Sequence, residues 1–470
     1  MGAFPPESEQ IAVRHVDLYA SAPKIQVRAV DGFFSRLRTR LRWILVIGTL
    51  LGPWLTWDGR QALLLDLPAR QFHLFGLTFF PQDFILVSGL LIVGAFALFT
   101  ATNWLGRVWC GYACPQSVWF QLFIDIEGWI EGPRHRRIRQ DAGPRSARLV
   151  AMKTAKWAAW LLVALVTGLS IVGYFVPVRT LVHELATFSL DGWALFWVGF
   201  FTTATLVMGA LLREQVCKYM CPYARFQAAM FDQDTLIVSY DPRRGEPRGS
   251  RSRGADPQAL GLGDCIDCEL CVQVCPVGID IRDGLQYECI SCAHCIDACD
   301  GIMDRMGYAP GLISYTTEHR LQGQPTRILR TRLVAYGLVL LLMVAAFGFL
   351  AAQRAPAELD VLRDRGALYR EVYVDGQPWT ENTYSLRIVN KTQDTRVWSL
   401  AVTGLPGAEL IGPAEVELAP GEVRELPVRL RARPGTGPST TIRFVLGAAE
   451  GGDEGVVAAE ESRFMAGDTP

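Results

Sequence analysis

Nothing in the chain points to nucleotide chemistry. Its 470 residues hold no glycine-rich dinucleotide fingerprint and no phosphate-binding loop, so neither NAD nor ATP is expected as a cofactor. No Cys-x2-Cys-His run occurs, which excludes covalently attached haem. Histidine is scarce at six residues, and no two lie inside the long apolar runs, which argues against haem b held between helices. The first 30 residues are polar and charged with no apolar core, so no cleavable signal peptide is expected and the first apolar segment would serve as the targeting signal. Charge is almost balanced, 46 basic against 47 acidic residues, which gives no nucleic-acid signature.

What the chain does have is apolar sequence and cysteine. Half of its residues are hydrophobic, 13 are Trp, and mean hydropathy is +0.19, too apolar for an ordinary soluble protein. Residues 84–104, 157–176, 193–212 and 333–352 are each free of Asp, Glu, Lys and Arg over at least 20 positions, about the length that crosses ~30 Å of hydrocarbon. Residues 43–57 form a shorter run interrupted by Pro53, read as a fifth span that relies on snorkelling Arg40 and Arg42, with an interfacial helix as the alternative.

Basic residues orient the set. Arg36, Arg38, Arg40 and Arg42 precede the first span; Arg134, Arg136, Arg137, Arg139, Arg145, Arg148, Lys153 and Lys156 fill the loop after the second; Arg327, Arg330 and Arg332 precede the last. The positive-inside rule places these segments in the cytoplasm and the tail outside the inner membrane of a bacterium. All twelve cysteines then face the reducing compartment.

Eight of them, Cys265, Cys268, Cys271, Cys275, Cys289, Cys292, Cys295 and Cys299, repeat the spacing C-x2-C-x2-C-x3-C twice. In a two-cluster ferredoxin the fourth cysteine of each run ligates the other cluster. Cys265, Cys268, Cys271 and Cys299 are therefore assigned to one 4Fe-4S cluster, and Cys275, Cys289, Cys292 and Cys295 to a second. Pro276 follows Cys275 as the pattern requires; Asp300 stands where the second Pro would be.

The other four form an internal repeat, Cys110-Gly-Tyr-Ala-Cys114-Pro115 and Cys217-Lys-Tyr-Met-Cys221-Pro222, 107 residues apart. Pro at a first helical position predicts helices over 116–130 and 223–231 with Cys114 and Cys221 at their caps. Helix N-termini, Arg107 and Lys218 would favour thiolates there. Soft sulfurs suit Cu(I), zinc or a third cluster, and metal-free buried cysteines are a further reading; the duplicated, Pro-capped spacing beside an electron source favours transient copper binding or dithiol redox chemistry.

The expected domains are a cytoplasmic segment (1–42), a four-helix membrane domain (43–240), a flexible Arg/Gly/Pro-rich linker (241–263), the ferredoxin domain (264–331), a fifth span (332–353) and a tail (357–470). Alternating stretches at 384–389, 397–402, 423–430 and 441–446, with turns at 390–394, 419–421 and 433–437, predict an immunoglobulin-like β-sandwich in that tail. The fold class is thus a polytopic α-helical membrane protein of about five spans with an inserted two-cluster ferredoxin domain and a carboxyl-terminal sandwich. Of the remaining polar residues, His294 reads as neutral loop filler, His73 and His183 as surface or packing positions with a copper or quinone role as the alternative, and His135 as a neighbour of lipid headgroups. Met220 is a packing residue or a thioether ligand; Asp125 and Glu127 would cap or solvate a surface helix.

Paired Cys-x3-Cys-Pro motifs, a following ferredoxin domain, a last span and an exported sandwich together resemble the cytochrome c oxidase accessory family called CcoG, FixG or RdxA. That resemblance implies a cupric reductase that turns Cu(II) into Cu(I) at Cys110, Cys114, Cys217 and Cys221 during assembly of a cbb3-type oxidase. It implies oxidase subunits, copper chaperones or transporters as partners, beside membrane lipid and an unassigned electron donor; whether a homodimer completes one copper site is left open by the sequence. Two other readings of the motifs are a quinol dehydrogenase feeding a periplasmic partner and a non-catalytic redox sensor or scaffold.

Overall fold

The computed structural model describes residues 24–466 apart from 258, 365, 434–437 and 449–454. The first 23 residues of the amino-terminal segment and most of the turn expected at 433–437 lie outside the described residues.

In chain order, α1 (Phe33–Leu51) leads through a 3-10 turn (Gly52–Trp54) into the short pair β1 (Thr56–Trp57) and β2 (Arg60–Gln61), then a three-stranded antiparallel sheet, β3 (Leu63–Asp66), β4 (Gln71–Leu74) and β5 (Leu77–Phe79). Next come α2 (Phe84–Leu105), α3 (Val108–Tyr112), α4 (Pro115–Glu131), α5 (Arg134–Ala142), α6 (Ala147–Val172), α7 (Val178–Ala186) and α8 (Gly192–Leu206), which continues as a π-helical stretch to Leu212. A second π turn (Val216–Met220) precedes α9 (Pro222–Met230). The cysteine-rich domain is bracketed by β6 (Ile237–Tyr240) and β7 (Ile313–Thr316), an antiparallel pair enclosing α10 (Pro242–Gly245), α11 (Leu270–Gln273) and α12 (His294–Met306). Then follow α13 (Glu318–Leu321), α14 (Thr331–Ala352) and the tail strands β8 (Ala357–Arg363), β9 (Arg370–Val374), β10 (Gln377–Asn390), β11 (Arg396–Thr403), β12 (Glu409–Ile411), β13 (Glu415–Leu418), β14 (Val423–Ala432), β15 (Ser439–Ala448) and β16 (Val456–Met465).

Among the described residues, four helices are long and apolar enough to cross a membrane: Phe84–Leu105, Ala147–Val172, Gly192–Leu212 and Thr331–Ala352. Such spans satisfy their backbone groups internally, which is what lipid demands. The run at 43–57 does not extend as one helix. Pro53 ends α1, whose first half carries four arginines, so its apolar part from Trp43 to Leu51 is only about 14 Å long at 1.5 Å per residue. That half still packs inside the bundle, with Val46 and Leu50 against Trp160 and Val163, and Tyr174 Oη donates to the Thr49 carbonyl at 3.0 Å.

The tail folds as expected into two antiparallel sheets, ordered β12-β14-β10-β8 with β9 beside β10, and β13-β11-β15-β16. Tyr384, Leu386 and Ile388 point inward from β10 between outward Ser385 and Arg387, and meet fully buried Trp398, Phe444 and Phe464. The sandwich is held to the bundle at Asp83, which pairs with Arg354 at 2.7 Å and Lys391 at 3.2 Å. The cysteine-rich domain sits at the other end of α2 and α14, where Arg330 reaches Asn103 and Thr235.

Two expectations fail here. The described residues of 241–263 form no flexible tether: Gly249 N–H donates to the Cys265 carbonyl at 3.2 Å, Asp264 N–H to the Arg244 carbonyl at 2.9 Å, and Arg251 donates to the carbonyls of Gly249, Cys265 and Gly263. Arginine supplies enough donors to staple a turn-rich segment onto its neighbour, which composition alone does not reveal. Nor does Glu127 solvate a surface helix. It is wholly buried among Lys24, Arg137, Lys156 and Arg213 at 2.8 to 3.5 Å, tying α4 to α5, α6 and the end of α8. Asp125, beside it, pairs with Arg42 at 2.6 Å.

Replacing Glu127 by Gln leaves four cations around a neutral amide, and the solubilised protein is expected to lose about 3–5 kcal/mol of stability in thermal unfolding. Burial pushes the Glu127 carboxyl up, but Arg213, Lys24 and Lys156 outweigh it and hold the group at about 2 instead of 4.5. Because the folded value lies below the unfolded one, this stabilisation is complete above pH 4.5 and fades as pH falls towards 2. The native protein's melting temperature should fall in that window by more than the variant's.

Candidate redox centre

The two motif copies follow the same course, the first through an α-helical turn and the second through a π turn. Each long helix before them ends in a residue with positive φ, Gly106 at 62° and Arg213 at 42°, again 107 positions apart. A side chain on Gly106 would strike the Leu236 carbonyl. Arg213 adopts the same turn at a strain of roughly 1–3 kcal/mol, with its guanidinium anchored on the Ala210 carbonyl (2.9 Å) and Glu127 (2.8 Å). After the turn comes a short helical segment, then an extended cysteine at a helix cap: Cys114 before α4 and Cys221 before α9, each followed by Pro at the first helical position.

The fold brings all four motif cysteines of one chain together, free and half-buried. Cys110 lies within electrostatic reach of Cys114 and Cys221, and Cys217 within reach of Cys114, Cys110 and Cys221. The Cys110 thiol also donates to Gln227 Oε1 at 3.3 Å. Burial first, and the neighbouring sulfurs second, push Cys110 and Cys217 up to about 12. The expectation of activated thiolates is therefore reversed for these two: Arg107 pulls Cys110 down, yet desolvation and mutual repulsion win. A bound cation would offset the burial and repulsion that hold protons on Cys110 and Cys217, which fits soft-metal chemistry. Among the described residues, however, no three or more His, Cys, Asp or Glu side chains close round a single ion.

The eight remaining cysteines line two separate cavities. Cys265, Cys268, Cys271 and Cys299 surround one with Ile266, Leu270, Ile302 and Leu312. Cys275, Cys289, Cys292 and Cys295 surround the other with Val277, Ile279 and Ile281, and Cys271 touches its edge. Thiols around an apolar cavity are the donor set and the surroundings that a cubane requires. Cys268 is exposed, whereas Cys289 and Cys292 lie inward, towards the bundle.

The second cavity abuts the first motif, through residues that the cysteine spacing did not flag. Gly111 packs so closely on the loop 290–292 that a Cβ would stand 2.8 Å from the Ile290 carbonyl, 2.9 Å from that of Ser291 and 3.1 Å from Cys292 Cα. Arg107 donates to the carbonyls of Tyr287, Cys289 and Ala224, and its charge feels Cys110, Cys289, Cys221 and Cys217. It stands between the two sulfur groups. Tyr315 Oη donates to Ser291 O at 2.6 Å and lies 3.3 Å from Tyr112 Oη. Arg38 donates to the Gly111 carbonyl at 2.9 Å and Gln121 at 3.0 Å, with its Nη1 3.4 Å from His294 Nε2. Asp297 of α12 accepts from the Phe34 and Ser35 N–H groups and so caps α1.

His294 is no loop filler. It is buried at the start of α12, and burial, with Arg38 and Arg42, lowers its pKa to about 3, which keeps it neutral. His73, 3.1 Å from Thr78 Oγ1, and His183 on α7 lie away from both sulfur groups, and Met220 is exposed.

Comparison with known proteins adds independent findings. A family model described as a 4Fe-4S dicluster domain matches residues 212–318, one described as a 4Fe-4S binding domain matches residues 85–135, and one described as the IG-like fold at the C-terminal of FixG matches residues 347–467. Protein RdxA of Cereibacter sphaeroides is 40% identical over 95% of this chain and 98% of its own length. Nitrogen fixation protein FixG of Rhizobium meliloti is 38% identical over 84% of this chain and 82% of its own. A crystal structure of a FixG-related protein from Vibrio parahaemolyticus is 38% identical, covering 23% of this chain and 95% of that one at a TM-score of 0.21.

The close approach at Gly111 yields a test. Gly111→Val must push the motif off the 290–292 loop, because backbone atoms on both sides cannot yield. The magnetic resonance spectrum of the inner cluster is expected to change while iron content stays within about 10% of wild type; an unchanged spectrum would refute the contact.

Proposed function

The chain belongs to the FixG/RdxA family of iron–sulfur electron-transfer proteins, and from that membership we propose that it is a cupric reductase of the bacterial inner membrane that serves assembly of a cbb3-type oxidase. The observation that carries this reading is the placement of Arg107 and Gly111, which join the four motif thiols to the cavity of Cys275, Cys289, Cys292 and Cys295. Cys265, Cys268, Cys271 and Cys299 would hold one 4Fe-4S cluster, and Cys275, Cys289, Cys292 and Cys295 the other. When bound, the clusters supply single-electron storage.

The chain's own residues do the rest. Cys110, Cys114, Cys217 and Cys221 receive Cu(II), whose charge drives off the protons that burial otherwise retains on Cys110 and Cys217. Each Cu(II) takes one electron and leaves as Cu(I), the state that sulfur ligands prefer. Arg107 neutralises part of the thiolate charge on the electron's path. The arginine-rich ends of α1 and α5 support a cytoplasmic cluster domain and a periplasmic sandwich, where oxidase subunits or copper carriers would dock.

A second reading has its own support. The 4Fe-4S binding match over 85–135 contains Cys110 and Cys114, and the dicluster match over 212–318 contains Cys217 and Cys221. The four thiols would then hold a third cluster. Purified protein beside Cys110→Ser and Cys217→Ser separates the two. Copper reduction that falls at least tenfold in both variants, with about eight irons per chain throughout, supports the reductase. About twelve irons in the native protein, falling to about eight in the variants, establishes a third cluster instead.

A further inference from the structure

Two cavities meet at the boundary between bundle and cluster domain. One, of about 810 Å³, lies between α1, α4 and the segment 27–30, and its wall includes Arg38, Arg42, Asp125, Arg137, Gln273 and His294. The other, of about 450 Å³, is an almost wholly apolar groove between α1, α4 and α6, walled by Val46, Leu50, Leu122, Ala159, Val163 and Val166. Trp43 and Trp129 belong to both. From these observations we propose that a membrane quinol binds here, its ring in the basic cavity and its isoprenoid tail in the groove, and delivers electrons to the inner cluster.

The basic cavity is built for a hydrogen-bond acceptor. Arg38, Arg42 and Arg137 are each at most 5% exposed, yet Arg38 Nη2, Arg42 Nε and Arg137 Nε have no partner. Buried donors of this kind call for an oxygen that the protein does not supply. The groove demands the opposite chemistry, and a ligand that satisfies both has a small oxygenated head and a long hydrocarbon tail. A phospholipid meets that description, but the cavity's third feature favours a redox molecule. His294 lines this cavity and also the cavity of Cys275, Cys289, Cys292 and Cys295, while Gln273, between Cys271 and Cys275 in the chain, lines its wall. The ring would lie one side chain away from the cluster thiols.

The chemistry balances. A quinol becomes a quinone by losing two electrons and two protons. The electrons leave singly to the oxidised inner cluster, and the protons pass to water at the rim, where Arg28 and His135 are exposed. The surrounding guanidinium groups stabilise an added negative charge and so raise the potential of the acceptor, which a quinol donor requires. This deepens the proposed function by naming its electron donor, and it rests on that reading only for the electron's later destination.

The test uses the full-length protein in detergent with a short-tailed quinone and its quinol. Gly128 lies on the wall, and a Cβ there meets nothing within 4 Å, so Gly128→Phe fills the cavity without displacing backbone. Titration with the quinone should quench Trp fluorescence in the native protein, and the quinol should bleach the cluster absorbance. In Gly128→Phe both should fall at least tenfold, while iron content, bleaching by dithionite and dithionite-driven copper reduction stay unchanged. Trp129→Ala, a milder change at the shared wall, should weaken quenching several-fold.

A native protein that the quinol does not bleach, equal bleaching in Gly128→Phe, or a tightly held phospholipid that the quinone fails to displace would each overturn the proposal. Quinol bleaching without copper reduction from any donor would instead sink the cupric reductase and leave this site standing.

Discussion

The seam between the helical bundle and the cluster domain depends on one missing side chain. Gly111 lets the first cysteine motif lie in van der Waals contact with the loop that carries Cys289 and Cys292, and no other residue type fits between those backbones. Everything that moves charge in this molecule is arranged around that contact. Arg107 crosses it, Arg38 fastens it from the other side, and Asp297 pins the start of α1 across it. A flexible tether would have left the two sulfur groups at variable separation. A seam with this many charge-assisted hydrogen bonds sets one separation.

Burial at the seam has an electrostatic consequence. Cys110 and Cys217, crowded in a desolvated site, resist ionisation, while Arg107 beside them is itself partly desolvated and loses some of its hold on a proton. These two thiols therefore hold their protons until a cation arrives. Glu127 balances the other side of α4, where Lys24, Arg137, Lys156 and Arg213 converge on one buried carboxylate. Arg213 belongs to both systems, since its strained turn opens the second cysteine motif and its guanidinium ends on Glu127. Charge balance and motif geometry are thus coupled through one residue.

Helix α4 shows how the bundle serves the site. Phe120 and Ile124 join the core of the cluster domain, while Val118, Leu122, Phe123 and Ile126 join the core of the membrane helices. A helix buried on both sides cannot shift without disturbing both cores, so Cys114 at its cap is held as firmly as the packing itself. The sandwich, at the far end of α14, is joined through Asp83, Arg354 and Lys391 and takes no part in this geometry.

Local pattern in the sequence determined the apolar helices, the inward alternation of β10, the two Pro-capped helices and the division of eight cysteines into two groups of four, because each depends on residue type at short, regular spacing. The resemblance to the FixG/RdxA family was legible for the same reason. Where the helix of the run at 43–57 ends, at Leu51 ahead of Pro53, came from the structure, and the linker misled because arginine-rich composition does not show what the arginines bind. Gly111 gave no signal, and Glu127, Arg107 and His294 were read without their contacts, because those contacts reach partners up to 256 positions away in the chain, as with Glu127 and Lys156 or His294 and Arg38. Only the tertiary structure decided which sulfur group touches which, since that depends on contacts between backbones and on charges brought together by burial, and neither leaves a periodic trace in the order of residues.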